Sequence, residues 1–235
     1  MSISEHISKQ FNAELEAVRS SVLQMGGLVE EQIERAIEAL TTGNIDLIEQ
    51  VIADDHRVNA MEVSIDEICS QIIARRQPTA GDLRMIMTVI KTITDLERIG
   101  DEAAKIARMA KLIYAAGRIH MPRFIEIRHV ANIALEMLRK SLDAFARLDL
   151  AATAQVVRQD ELVDEEFRSI IRQLITYMME DPRKITTALE ILFVAKAIER
   201  IGDHAKNMSE YVVYLVKGKD VRHVTVEEIE REAQE

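Results

Sequence analysis

Cysteine, proline, glycine and aromatic residues are all scarce in this chain. Its 235 residues include 1 Cys, 3 Pro and 8 Gly, and aromatic residues make up only 4%. The single cysteine, Cys69, excludes an internal disulfide and fits a reducing compartment. A shortage of aromatic and turn-forming residues disfavours a β-sandwich or barrel. The abundant residues are instead Ala, Ile, Leu, Met, Glu and Arg, most of which are good helix formers.

The chain also lacks long apolar runs and an excess of positive charge. Its longest apolar stretches, such as Ile191–Ala195 and Tyr211–Val216, are far shorter than the ~20 residues that cross a bilayer. The residues after Met1 are polar and lack the apolar core of a signal peptide. We therefore expect a soluble, cytoplasmic protein that meets membranes only through partners. The net charge of −10 argues against nucleic acid as a main partner and is compatible with binding cations.

One five-residue string, Glu-Arg-Ile-Gly-Asp, occurs twice, at Glu97–Asp101 and at Glu199–Asp203. An earlier block also recurs, at a shift of 105 residues, and aligns Ile33 with Leu138, Leu40 with Phe145, Asn44 with Asp149, Val51 with Val156, Asp55 with Asp160, and Asn59 with Asp164. These matches indicate an internal duplication, so the two halves of the chain should fold alike.

Each half of the chain predicts three long helices separated by short breaks. The predicted helices run from about Ile3 to Leu40, Asn44 to Arg76, Thr79 or Asp82 to Ala116, Arg123 to Arg147, Asp149 to Glu180, and Arg183 to Lys217. Pro78 and Pro182 mark the same break in the two halves, because proline cannot continue the helical hydrogen bonds. Long helices with short turns form antiparallel bundles. We predict an all-α protein of two tandem three-helix up-down-up bundles, residues 1–117 and 118–235, the second ending in a short charged tail.

Two consecutive glycines, Gly26 and Gly27, lie in the middle of the first predicted helix. Each costs about 1 kcal/mol relative to alanine. We interpret the pair as a local kink or a close helix crossing, and a binding contact is the less favoured alternative.

The repeated string places two carboxylates one helical turn apart in each half, and the preceding helix carries a second pair at the same spacing. The candidate metal ligands are Glu97, Asp101, Asp55 and Asn59 in the first half and Glu199, Asp203, Asp160 and Asp164 in the second. Oxygen ligands suit Mg²⁺, Mn²⁺ or iron rather than a metal that prefers thiolates. Solvated surface acids are the alternative, but repetition of the whole string favours a binding role.

Four segments together resemble the PhoU family. They are the duplicated string, Met25–Glu30, Val58–Glu62 and Ala74–Ala80. The resemblance covers nearly the whole chain. It implies two three-helix bundles and a cytoplasmic, non-enzymatic, negative regulator of phosphate uptake and of the phosphate-starvation response. It also implies two partners, a phosphate-specific ABC transporter and a sensor histidine kinase.

The resemblance further implies metal clusters held by acid-x-x-x-Asp motifs. These motifs correspond to Glu97 with Asp101 and to Glu199 with Asp203, faced by the pairs from the preceding helices. Asn59 departs from the pattern because it is neutral. We therefore expect the Glu199–Asp203 site to bind a cation more tightly than the first.

Two other functions stay open from the residues alone. One is a purely structural helical scaffold. The other is a carboxylate-bridged metalloenzyme, for which Glu126 and His129 supply one Glu-x-x-His element where such a site needs two. An amphipathic bundle with 11 Met residues also favours a homodimer.

Overall fold

The computed structural model describes residues 9–115 and 125–221, together with residues 224, 228 and 231. Within these ranges the chain folds into helices only, which are α1 (Lys9–Thr42), α2 (Ile45–Arg76), α3 (Ala80–Ala115), α4 (Ile125–Arg147), α5 (Leu150–Glu180), a 3₁₀ turn (Pro182–Lys184) and α6 (Ile185–Lys217). The predicted start at Ile3, the boundary between residues 117 and 118 and most of the charged tail lie outside the described residues. None of the helices that the structure describes is long and apolar enough to cross a membrane.

Repeat-equivalent residues begin the second helix of each half. The Asn44 side chain accepts a hydrogen bond from the Leu47 N–H at 3.2 Å, and the Asp149 side chain accepts one from the Ala151 N–H at 2.9 Å. Such caps satisfy backbone donors that have no partner within the helix. The predicted cap at Asn44 is therefore confirmed, and the cap at Asp149 follows the internal repeat.

The two halves form two three-helix bundles that share one hydrophobic core. Helices α1, α2 and α3 pack together, as do α4, α5 and α6, and the central contact joins α3 to α6. Asp95 of α3 contacts His204 of α6. Glu102 lies further along α3 than Asp95, yet it contacts Arg200, which comes before His204 in α6. The two central helices are therefore antiparallel, and they carry the two copies of the repeated string.

Polar contacts cross the joint between the bundles. The Nδ1 atom of His204 lies 2.8 Å from Oδ1 of Asp95, and both side chains are buried. Nη1 of Arg200 lies 2.6 Å from Oε1 of the buried Glu102. Buried charged groups need such partners, because an unpaired one carries a large desolvation cost. These contacts fix the two repeated strings relative to each other.

The glycine pair in α1 marks the close crossing of α1 and α4. A Cβ atom added at Gly26 would lie 2.5 Å from Cδ2 of Leu142, so only glycine fits there without a shift. The same atom at Gly27 would meet no atom of the structurally described part of the chain within 4 Å. The prediction of a close helix crossing is confirmed for Gly26, and Gly27 has no packing reason to be glycine.

Cys69 is a fully buried core residue, as its apolar neighbours in the sequence predict. Burial, with a smaller effect from the Asp66 carboxylate, raises the pKa of the Cys69 thiol to about 11. The thiol therefore stays protonated at neutral pH and is a poor nucleophile.

Candidate metal centre

The glycine of each repeated string packs against repeat-equivalent residues of its own bundle. A Cβ atom on Gly100 would lie 3.2 Å from Oε1 of Gln32 and 3.3 Å from Cγ1 of Val58. At Gly202 the neighbours are Met137 and Val163, which occupy the same positions in the second half. Each string therefore sits opposite the first two helices of its bundle, as the duplication requires.

In the second half, three carboxylates lie near enough to Asp203 of α6 for their charges to act on it, namely Asp160 and Asp164 of α5 and Glu199 of α6. Partial desolvation, followed by the negative charges of Glu199, Asp160 and Asp164, raises the pKa of Asp203 to about 6. We call these four residues the second acidic face. That these four residues together bind a metal ion stays a prediction.

Two lysines of α6 neutralise part of the second acidic face. Lys206 Nζ donates to Asp160 Oδ2 at 2.7 Å, and Lys196 Nζ donates to Glu199 Oε1 at 2.6 Å. The equivalent positions of the first half hold Thr94 and Ala104, which carry no charge. A cation bound to Asp160 or Glu199 would compete with these lysines, which costs binding free energy. The expectation from sequence that the second site binds a cation more tightly than the first does not include this cost.

The first acidic face consists of Asp55 and Glu62 of α2 and Glu97 and Asp101 of α3. Desolvation, then the charges of Asp101, Glu62 and Asp55, raises the pKa of Glu97. The pKa of Asp101 is raised by desolvation and by Asp55, among other charges. The negative charges of neighbouring carboxylates therefore disfavour ionisation of Glu97 and Asp101. A bound cation would offset this repulsion.

Sequence reasoning proposed Asn59 as the fourth ligand of the first site, which stays a prediction, and it did not single out Glu62. Asn59 is exposed, whereas Glu62 is half-buried and acts on Glu97. Its spacing from Asp55 could have identified Glu62. Glu62 lies seven residues after Asp55, and two helical turns place both side chains on the same face of α2. The second half has Phe167 at the equivalent position, so the repeat alone does not identify Glu62.

Arginines from both bundles reach the first acidic face. Arg108 of α3 and Arg200 of α6 both act to lower the pKa of Asp101. Arg200 belongs to the second copy of the repeated string and also pairs with Glu102. The second bundle therefore contributes charge directly to the face of the first.

A helix from outside the predicted site supplies a further polar group. Nε2 of Gln32, on α1, donates a hydrogen bond to Oδ1 of Asp55 at 3.0 Å. The sequence contained no motif that pointed to this residue.

The side chains of the described residues do not form a preformed metal-coordination site. No three His, Cys, Asp or Glu side chains in this part of the chain converge closely enough to hold one metal ion. Mutual repulsion among the carboxylates opposes such convergence, and a bound cation would offset that repulsion. The donor set of each face, carboxylate and amide oxygens, suits a hard cation.

A duplicated six-helix protein with one acidic face on each bundle is the class that the fold and these residues define. The sequence model of the PhoU domain matches residues 22–110 and again residues 127–212. The chain belongs to the PhoU family.

Curated relatives and solved structures match over nearly the full length. The phosphate-specific transport system accessory protein PhoU homolog of Pseudomonas putida is 49% identical over 99% of this chain and 91% of that protein. The corresponding Escherichia coli protein is 48% identical over 98% of this chain and 95% of its own.

Two crystal structures have the same fold. PhoU from Pseudomonas aeruginosa superposes with a TM-score of 0.85 at 48% identity, covering 89% of this chain and 100% of that one. The phosphate transport system regulatory protein PhoU from Streptococcus pneumoniae has a TM-score of 0.83 at 27% identity, covering 90% and 99%. The prediction of two tandem three-helix bundles and of the family is confirmed.

Proposed function

We propose that this protein is a cytoplasmic accessory protein of phosphate-specific transport. In this role it negatively regulates phosphate uptake and the phosphate-starvation response, as a metal-binding adaptor between a phosphate ABC transporter and a sensor histidine kinase. Membership of the PhoU family is the observation that carries the proposal, because the relatives are named as accessory proteins of phosphate-specific transport systems. That family is regulatory and is not a known enzyme family, which supports a role without catalysis.

Metal binding is proposed at both acidic faces. Asp55, Glu97 and Asp101 would hold a cation in the first bundle, with Asn59 and Glu62 beside them. Asp160, Asp164, Glu199 and Asp203 would hold one in the second. A divalent cation or iron, with Mg²⁺ and Mn²⁺ as the simplest candidates, would supply positive charge that offsets the mutual repulsion of these acids. The raised pKa of Asp203 supports this, since carboxylates that repel one another gain most from a cation.

A bound ion would also join neighbouring helices of a bundle. Each acidic face draws its carboxylates from two helices, α2 with α3 or α5 with α6. An ion held by both would fix their relative position and so the surface that partners meet. Such an effect becomes a switch only if two surface states differ in affinity for the ion. The prediction that the second face binds more tightly stays a prediction, with the two lysines acting against it.

Thermal unfolding with and without metal tests this part of the proposal. Mn²⁺ at 100 times its Kd should stabilise the protein by about 2.7 kcal/mol, or roughly 5–10 °C in Tm for a chain of this size. The Glu199→Ala/Asp203→Ala variant should lose part of the shift. Glu161→Ala/Glu165→Ala removes two exposed acids of α5 at the same spacing and should keep it. If Mn²⁺, Mg²⁺ and iron all leave the unaltered protein's Tm unchanged, metal binding is refuted while the adaptor role is not.

Regulation can be measured in a bacterial strain that lacks its own PhoU protein. Expression of this chain at high phosphate should switch off a phosphate-starvation reporter. The Glu199→Ala/Asp203→Ala variant should leave it partly on, with Glu161→Ala/Glu165→Ala again as the control. Full repression by the first variant would favour a helical scaffold whose partner binding is independent of metal.

A homodimer is proposed as the assembled form. Ile185, Leu189 and Phe193 follow one another at four-residue spacing on α6, and each is exposed, Phe193 to 50%. Exposed apolar residues clustered on one face are typical of an interaction surface. Light scattering should give twice the mass of 26.7 kDa, and Phe193→Asp should shift the protein towards the monomer. A monomer mass for the unaltered protein at micromolar concentration would refute the dimer.

A further inference from the structure

Gln32 is a buried polar residue whose side-chain oxygen has no hydrogen-bond donor among the described residues. The side chain is 5% exposed, and its Nε2 donates to Oδ1 of Asp55 at 3.0 Å. Its Oε1 atom is buried and accepts no hydrogen bond from residues 9–115, 125–221, 224, 228 or 231. A buried acceptor without a partner costs about 1–3 kcal/mol, so the arrangement is explained if something else binds that oxygen.

The amide lies between α2 and the repeated string of α3. Oε1 is 3.2 Å from the position that a Cβ atom would take on Gly100, and Gly100 lies between Glu97 and Asp101 in the string. Exchanging the two amide atoms would place an oxygen against the carboxylate of Asp55, with no hydrogen to share. The bond to Asp55 therefore fixes the orientation, with the N–H₂ towards α2 and the free oxygen towards α3.

We propose that Oε1 of Gln32 is a ligand of a hard divalent cation at the first acidic face, together with Asp55, Glu97 and Asp101. This inference rests on the proposed metal-binding function and adds a ligand from a third helix, α1. Amide oxygens are ordinary ligands of hard cations. Because the amide is neutral, it adds a donor without adding to the repulsion among the carboxylates.

The second half has a different atom at the equivalent position. Met137 aligns with Gln32 in the repeat, and its Sδ lies 3.6 Å from the Cβ position of Gly202. A thioether is a soft, weak ligand that hard cations do not choose. The two faces therefore differ in donor atoms, and the amide oxygen gives the first face a hard donor that the second one lacks.

The experiment isolates the first face by disabling the second. In a Glu199→Ala/Asp203→Ala background, Mn²⁺ binding is measured by calorimetry and by the EPR signal of free Mn²⁺. Gln32→Met introduces the residue that the second half has at this position and should weaken binding by about 10-fold to 100-fold. Gln71→Met makes the same change at an exposed position of α2 and should leave binding unchanged.

A second variant separates a ligand from a residue that merely orients Asp55. Gln32→Glu keeps an oxygen at Oε1 but removes the hydrogen bond to Asp55. A ligand role predicts Mn²⁺ binding at least as tight as in the background. An orienting role predicts weakening as large as with Gln32→Met. Melting in EDTA checks folding. Gln32→Met loses the hydrogen bond to Asp55 but also removes an unsatisfied buried oxygen, so its Tm should stay close to that of the background.

Each contrary result has a distinct meaning. Mn²⁺ affinity of Gln32→Met within twofold of the background overturns the ligand role of Gln32, as does weakened binding by Gln32→Glu. Binding by the unaltered protein but not by the background places all bound Mn²⁺ at the second face and overturns this inference alone. No Mn²⁺ binding by the unaltered protein overturns the proposed metal function and this inference with it.

Discussion

Replacing Asp203 by asparagine is expected to stabilise the protein at neutral pH when no metal is present. Partial desolvation and the charges of Glu199, Asp160 and Asp164 raise the pKa of Asp203 from its ordinary value of 3.8 to about 6. A folded-state pKa above the unfolded one means that the folded state holds the proton more tightly. Ionisation therefore costs stability progressively as pH rises from about 4 to about 6, and the full cost is present above that range.

The magnitude follows from the shift and from exposure. The difference between 3.8 and about 6 corresponds to about 3 kcal/mol at neutral pH without screening. Because Asp203 is exposed, solvent screening reduces the expected gain from Asp203→Asn to about 1 kcal/mol. With saturating Mn²⁺ the order should reverse, since the variant has lost a ligand.

Urea unfolding in EDTA between pH 4 and pH 8 measures the effect. The free energy of unfolding of Asp203→Asn should exceed that of the unaltered protein above pH 6 and converge with it near pH 4. Glu161→Gln removes one exposed carboxylate of α5 and should show no such pH dependence. A difference that is the same at pH 4 and pH 8, or a loss of stability at both, would refute the reasoning about repulsion.

The glycines provide two further matched comparisons, both measured by urea unfolding. Gly202→Ala should stabilise the protein by up to about 1 kcal/mol, because the new Cβ meets its neighbours at ordinary contact distance, 3.5 Å or more. Gly100→Ala should gain less, since Oε1 of Gln32 would lie only 3.2 Å away; equal gains would contradict the close approach. Gly27→Ala should stabilise by about 1 kcal/mol, whereas Gly26→Ala should be about 2 kcal/mol worse than Gly27→Ala because it overpacks against Leu142. An equal effect at both positions would argue against a tight crossing of α1 and α4.

Much of the fold follows from local signals in the sequence. Asn44 and Asp149 cap helices, and Pro182 begins a short turn between two long ones. The duplication then requires both halves to fold alike. Packing of α3 against α6 could not be predicted in the same way, because it depends on contacts between residues more than 100 positions apart, such as Asp95 and His204.

The candidate site was predictable only where it repeats. The paired acids of α3 and α6 were visible because one five-residue string occurs twice. Glu62, Gln32 and the two lysines, Lys196 and Lys206, differ from their counterparts in the other half, so a search for repeated residues passes over them. Their positions are set by how α1, α2 and α6 pack, which is a property of the folded bundle.

The polar joint between α3 and α6 makes the two halves mutually selective. Position 204 is the repeat counterpart of position 102, but it holds His where the first half has Glu. If two first halves joined in the same way, Glu102 would face Asp95 where His204 now lies, so an acid would replace an imidazole beside a buried carboxylate. Arg98, the repeat counterpart of Arg200, would offset only part of that repulsion. We therefore expect a first half to pair with a second half in preference to another first half. Fragments expressed separately and mixed should give more first-with-second complex than first-with-first complex.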